Sequence, residues 1–291
     1  MDKRENIVKQ MLDFLPEKYL FALQNINISR LYEIRMRIGK PTAIRFDGKY
    51  TYLSNNGVSN SVDTAIISTK EDLEATVLAA GKYSIYSVEN ELRQGFITAE
   101  NGVRIGIAGR YIFEDGQSIT VRDFTSLCIR VPHQVIGCSN EIYEKCFSKG
   151  LFNLLIVSAP GQGKTTILRD LCRVISNKKG VNILICDERG EIAYGDIGNT
   201  SDVFSFADKS LALEMGIRIM NPKVIVTDEL SLKEIPAIIK AKNSGVNVIS
   251  SIHATTISEV PKPLLDEFDI IVLLDSESIG KIAEIYKINR K

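Results

Sequence analysis

Cysteine is sparse and unpatterned in this sequence. Cys128, Cys138, Cys146, Cys172 and Cys186 stand at irregular spacings with no Cys-x-x-Cys pair. An odd set of this kind suits reduced, intracellular thiols and argues against both a disulfide framework and a zinc site. Histidine is scarcer still, with only His133 and His253. Neither sign of charge is in excess, because 36 lysines and arginines balance 36 aspartates and glutamates. The chain as a whole therefore has no net attraction to nucleic acid or to an anionic membrane, and either partner would need a local patch. No apolar run approaches the roughly 18–20 residues that span a bilayer. The first residues, "MDKRENIVKQMLDFLPEK", are charged and amphipathic and lack a signal-peptide core. These absences predict a cytoplasmic protein with no direct membrane insertion, peripheral at a membrane only through another component. Internal repeats and low-complexity segments are also missing.

What is present fits two domains. The 291 residues are 44% hydrophobic and 25% charged, an ordinary globular balance. The first half reads as mixed α+β. "ENIVKQMLDFL" has helical apolar spacing and stops near Pro16. Alternating runs follow in "LYEIRMRIG", "TAIRFDG" and "YTYLS", with Pro41 and Asp47-Gly48 as turn signals. Ser68 with Glu71 reads as a capping box that opens a helix over "KEDLEATVLAAG", ending at Gly81. Asn101-Gly102 and Asp115-Gly116 lie between alternating segments and predict hairpins of a small antiparallel sheet. "GVRIGIAGR" reads as a hairpin strand with close backbone packing, since no helical pattern follows it.

After about residue 150 the pattern changes to short, continuous, Val/Ile-rich runs: "NLLIVS", "VNILICD", "KVIVTDE", "VNVISSI" and "DIIVLLD". Helical stretches separate them. Strands buried on both faces of a parallel sheet look like this. The expected division is an α+β domain over residues 1–140 and an α/β domain with a mainly parallel sheet over residues 141–291.

The second half carries the chemistry. In "NLLIVSAPGQGKTTILRDLCRVI" a strand, a glycine loop and a helix follow in order. That context gives a Gly-Lys-Thr sequence its meaning. Gly161 and Gly163 allow backbone N–H groups to approach an anion, and the helix start adds unpaired N–H groups and a positive dipole end. Pro160, Gly161, Gln162, Gly163, Lys164, Thr165 and Thr166 are thus the candidate phosphate cradle. Lys164 is suited to the β- and γ-phosphates of ATP, the Thr165 hydroxyl to Mg2+, and Thr166 to the α-phosphate. A helix cap that happens to contain Gly-Lys-Thr is the alternative, and the flanking elements argue against it.

"PKVIVTDEL" delivers Asp228 and Glu229 to a strand end. Asp228 is the candidate for the Mg2+ side and Glu229 for orienting or deprotonating an attacking water; a charge preference at a helix start is the bland alternative. His253 closes "VISSIHATT", and it is a candidate γ-phosphate sensor rather than a core histidine, because ligands collect at the carboxyl ends of such strands. Asp187 and Glu188 end "LICDERGEIA" at the same edge. Glu188 is the candidate catalytic acid there, against the alternative of a solvated turn.

In this order, "SAPGQGKTT", "CDERGE", "VIVTDE" and "SGVNVISSIHATT" resemble the signatures of the secretion traffic ATPases of type II, type IV pilus and type IV secretion systems. The match covers about residues 150–260. Two positions depart from the pattern: Ser158 replaces the first glycine of the loop, and Asp228 stands where the pilus motors usually carry glycine. "YEIRMRIGKP", "SIYSVENELRQGFIT" and "GVRIGIAGR" resemble the amino-terminal domain of a sporulation branch of that superfamily, found in spore-forming Firmicutes. The resemblance implies a RecA-like P-loop domain and ATP hydrolysis with Mg2+. It also implies a homohexameric ring with nucleotide between subunits, docked on membrane-embedded components of a channel between mother cell and forespore. Its site would lie on the mother-cell side, and the first domain would serve oligomerisation or docking.

A nucleotide between subunits needs positive charge from elsewhere. Arg218 in "MGIRIMNPK" is the first candidate, because it resembles an arginine preceding the acidic strand in the pilus motors. Arg110, Arg104 and Arg130 of the first half follow. Two other functions compete with the motor reading. A P-loop ATPase binding single-stranded nucleic acid is disfavoured by zero net charge and by the lack of an RGG tract or basic aromatic strand. A non-hydrolysing scaffold is disfavoured by Glu229.

Overall fold

In the computed structural model, which describes residues 11–82, 88–99, 102–114, 117–205 and 207–288, the chain divides into two units, Met1–His133 and Gln134–Lys291. The first contains α1 (Glu17–Gln24), β1 (Leu31–Arg37), β2 (Ala43–Phe46), β3 (Lys49–Ser54), β4 (Gly57–Ser59), α2 (Lys70–Ala80), α3 (Glu89–Arg93), β5 (Phe96–Thr98), β6 (Arg104–Glu114) and β7 (Gln117–Arg130). Its strands form one seven-stranded sheet in the order β4-β3-β2-β1-β7-β6-β5, and every pairing is antiparallel. Period-two alternation explains the layering. Ile34 and Met36 of β1, Ile44 of β2 and Ile129 of β7 are buried with Tyr19 and Leu23 of α1 and Leu73 of α2.

The local signals of this unit mostly hold. Asp47 (φ 54°) and Gly48 (φ 79°) both adopt the left-handed backbone that turns β2 into β3. Gly109 sits at a register shift of β6, where a Cβ would lie 2.6 Å from the Arg122 carbonyl oxygen, so the close backbone packing is real. The helix cap differs from expectation. Thr69, not Ser68, caps α2, with Asp72 rather than Glu71 completing the box. Ser68 is buried, and its hydroxyl lies 2.8 Å from that of Thr42 and 3.3 Å from the Tyr19 hydroxyl, so it is unavailable to the helix. Asp72 also accepts from the Tyr19 hydroxyl at 3.0 Å. Burial pushes the Tyr19 phenol up to about 12. Most of the helix expected over "ENIVKQMLDFL", and the turn residues Asn101, Asp115 and Gly116, lie outside the described residues.

The second unit starts with a helical turn, α4 (Asn140–Ile142), that runs into a π turn over Tyr143–Phe147. Then come β8 (Leu154–Ser158), α5 (Lys164–Lys179), β9 (Ile183–Asp187), β10 (Ser201–Ser205), α6 (Lys209–Ile219), β11 (Val224–Thr227), α7 (Ile235–Asn243), β12 (Asn247–His253), α8 (Lys262–Leu265), β13 (Ile270–Leu274) and β14 (Ile282–Lys287). The sheet order is β10-β9-β11-β12-β8-β13-β14. All pairings are parallel except that of β13 with β14. Leu154 and Ile156 face one core, and Leu155 and Val157 the other. Each central strand is buried along nearly its whole length because both of its faces are covered. Edge strands β10 and β14 have only half-buried and exposed positions, and so they lack the continuous apolar run that marks the other five.

Parallel pairing puts the carboxyl ends of β8, β9, β11 and β12 on one edge of the sheet, with His253 in register with Ser158. Helix α6 lies against β9 so closely that a Cβ at Gly216 would meet the Leu184 Cδ2 at 2.1 Å. Overpacking there is expected to lower the stability of Gly216→Val by about 1–3 kcal/mol, measured by urea unfolding.

Candidate nucleotide site

Gly161 (φ 79°) and Gly163 (φ 86°) give the loop after β8 its left-handed turns. A Cβ at Gly161 would meet nothing within 4 Å, so glycine is needed there for its backbone conformation and not for lack of room. Gly163 caps α5 with no side-chain acceptor, which leaves the first N–H groups of that helix for a ligand. Pro160 and Gly161 are exposed, while Thr165 and Thr166 are half-buried in the first turn of α5. Gln162 braces the loop from the side. Its side-chain amide donates to the Ser276 carbonyl at 3.0 Å, and its backbone carbonyl accepts from Gly280 N–H at 3.1 Å.

Lys164 is 5% exposed and folds back over this loop. Its ammonium donates to the carbonyl oxygens of Ser158 at 2.8 Å and Ala159 at 3.0 Å, and to Nδ1 of His253 at 2.7 Å. Burial lowers the Lys164 pKa, opposed by the charge of Glu229. An ammonium has only hydrogens to offer, so Nδ1 of His253 is the acceptor. The other ring nitrogen, Nε2, then carries the hydrogen and faces the Glu229 carboxylate at 2.5 Å. Lys164, His253 and Glu229 therefore form one continuous chain across the ends of β8, β12 and β11. Arg189 approaches the second oxygen of Glu229 at 3.6 Å.

The acids beside this chain divide by role. Asp187 is fully buried, and its carboxylate accepts the backbone N–H groups of Glu191 at 2.9 Å, Ile192 at 2.9 Å and Ala193 at 2.8 Å. It shapes its own loop, which the Arg169 guanidinium also holds through the carbonyls of Glu191 and Ile192. Asp228 is 5% exposed. Its Oδ1 lies 2.8 Å from the ammonium of Lys209, outside good hydrogen-bond alignment, so charge holds it more than a directed bond. Burial raises the Asp228 pKa and Lys209 opposes the rise. Lys209 also reaches the Glu229 carbonyl, and Glu188 at 3.6 Å.

The residues fit a nucleotide with a divalent cation. Among the described residues no group of three or more His, Cys, Asp and Glu side chains gathers as a metal cage. Mg2+ seldom needs one, because phosphate oxygens and waters complete its shell. The Thr227 hydroxyl, at the end of β11 beside Asp228, is buried without a hydrogen-bond partner.

Lys164, His253, Glu229, Glu188 and Asp228 are thus brought to one edge, and Arg218 is not. It lies exposed in the last turn of α6, nine residues and about 14 Å of helix rise from Lys209. In the first unit, Arg104 and Arg130 are cross-strand neighbours on β6 and β7, and Arg110 pairs with Asp123 at 2.7 Å. Sequence reasoning missed Lys209, Arg189 and Arg169. A signal for Lys209 was present: a lysine directly after the cap Asp208 puts positive charge at the positive end of a helix, which calls for nearby acids.

Sheet order, glycine loop and strand-end acids define a RecA-like P-loop protein preceded by an α+β unit, the fold of the secretion traffic ATPases. The chain is similar to the pilus retraction motor PilT solved with ADP, at 16% identity and a TM-score of 0.61, over 100% of this chain and 84% of that one. It is also similar to the ATPase DotB of Legionella pneumophila, at 15% identity and a TM-score of 0.55, over 84% of this chain and 72% of that one. At such identities the likeness is one of fold. The family model described as sporulation stage III, protein AA matches residues 1–291. Stage III sporulation protein AA of Bacillus subtilis is 33% identical over 270 residues, covering 88% of this chain and 84% of that protein. A more distant relative is the uncharacterized protein ycf45 of Porphyra purpurea, 25% identical over 265 residues, 88% of this chain and 42% of that protein. The chain belongs to the stage III sporulation protein AA family.

Replacing Asp187 by asparagine turns an acceptor into a donor against three N–H groups. Asp187→Asn is expected to destabilise by about 1–3 kcal/mol and to speed hydrogen exchange at Glu191, Ile192 and Ala193, read by mass spectrometry.

Proposed function

We propose that this protein is an ATP-hydrolysing motor of the secretion traffic type, powering assembly of, or transport through, a channel between mother cell and forespore. The observation that carries the reading is the chain Lys164–His253–Glu229, which links the phosphate loop to a strand-end carboxylate. Family membership supports the sporulation setting, and the fold supports a motor. Among the described residues no helix is long and apolar enough to cross a membrane. That fits a peripheral place on the mother-cell side, reached through membrane-embedded partners. The working assembly is a homohexamer with nucleotide between subunits, in which residues 1–140 serve oligomerisation or docking and residues 141–291 hydrolyse ATP.

Each side chain then has a task. Pro160 to Gly163 hold the loop open, and its N–H groups with those of Thr165 and Thr166 receive the phosphates. Lys164 exchanges the Ser158 and Ala159 carbonyls for β- and γ-phosphate oxygens, a better match for a buried ammonium. Mg2+, held through the Thr165 hydroxyl and on the Asp228 side, would neutralise phosphate charge. His253, released from Lys164 at Nδ1, still donates from Nε2 to Glu229 and keeps that carboxylate aimed. Glu229 accepts the proton of the attacking water, and Glu188 lines the same edge. Arg218, exposed away from its own chain's cluster, is the side chain available to a neighbour's nucleotide.

Glu229→Gln is expected to bind ATP within a few-fold of wild type yet hydrolyse it about 10²–10⁴-fold more slowly. Hydrolysis at the wild-type rate would remove Glu229 from the role. Lys164→Ala is expected to lose affinity for ATP itself, measured by calorimetry; unchanged affinity would overturn the phosphate-loop assignment.

A further inference from the structure

We infer that Lys209 is the positioning residue of the metal-side acids: its ammonium ties Asp228, Glu188 and the Glu229 backbone into the arrangement that receives a nucleotide-bound divalent cation. The inference rests on the reading of Asp228 given above.

Lys209 is 7% exposed, on the first residue of α6. Three oxygens from two strand ends surround it: Asp228 Oδ1 at 2.8 Å and Glu188 Oε2 at 3.6 Å as ion pairs, and the Glu229 carbonyl oxygen as a hydrogen-bond acceptor. Its position is unfavourable in itself, because a helix start repels a cation. Burial adds a desolvation cost that only paired charge offsets. The site compensates with two carboxylates and a carbonyl directed at one ammonium, and a lysine serving only as a solvated cap would need none of them. Asp228 is in turn fixed from the backbone side, since the Ser250 hydroxyl donates to the Asp228 carbonyl at 2.7 Å and to that of Thr227 at 2.9 Å. With the backbone held by β12 and Oδ1 drawn to within 2.8 Å of the Lys209 ammonium by charge, the carboxylate is kept at this edge. The same ammonium holds the Glu229 backbone, so the placement of the metal-side acid and of the water-side acid is set together.

The test measures ADP binding by the full chain, with EDTA and across a MgCl2 titration. Wild type is expected to bind ADP more tightly as Mg2+ rises, and Asp228→Asn to lose that gain. If Asp228→Asn keeps the gain, the reading of Asp228 fails, and the Lys209 inference with it. Given that control, Lys209→Met is expected to leave the metal-free ADP affinity within about twofold, because the phosphate loop supplies it, while the Mg2+ needed for half the gain rises at least about tenfold. Lys209→Arg is expected to restore most of the loss. A smaller rise in Lys209→Met, or an equal loss of metal-free affinity, overturns the inference. Should Lys209→Met fail to fold, Lys209→Gln, which keeps a donor without charge, is held to the same tenfold criterion.

Discussion

Charge buried at the carboxyl edge of the parallel sheet is the constraint on which the second unit depends. Two ammonium groups, those of Lys164 and Lys209, are almost fully buried there. A buried charge is tolerated only with partners, and each lysine has recruited them from separate strands. Lys164 draws on the end of β8 and, through His253, on β12 and β11. Lys209 draws on the ends of β9 and β11. The edge is thus a network of compensated charges, and under the proposed function a polyanionic ligand would replace partners that are already in place.

The sheet makes that network possible. Parallel strands bring every carboxyl end to one side, and the covering helices dry the cores on both faces. The order β9-β11-β12-β8 sets which ends are neighbours. His253 reaches Lys164 because β12 is paired with β8. Glu188 and Asp228 share Lys209 because β9 is paired with β11. The first unit follows a different rule, with helices burying one face of an antiparallel sheet.

The central strands, the glycine loop and α5 were legible because their signals are local: continuous apolar runs, glycines at left-handed positions, and a helical period after Lys164. Positions such as Asp228 and His253 were legible as strand ends for the same reason. Edge strands β10 and β14 were not, since half-exposed strands lose the apolar run. The cap of α2 was misplaced by one residue, because Ser68 and Thr69 are both plausible caps until the burial of Ser68 against Thr42 and Tyr19 is known.

The sequence alone determined the type and order of most elements and the residue types that end the strands, because these follow from period, turn chemistry and capping. Tertiary structure alone decided the partnerships. Asp187 and Glu188 are adjacent in sequence, yet one shapes its own loop and the other faces Lys209: Asp187, the last residue of β9, accepts the N–H groups of the turn that follows, while Glu188 lies beyond the strand in that turn. Lys209 gained its role only when β9 and β11 paired and placed two strand-end acids around the start of α6, a meeting that no local pattern encodes.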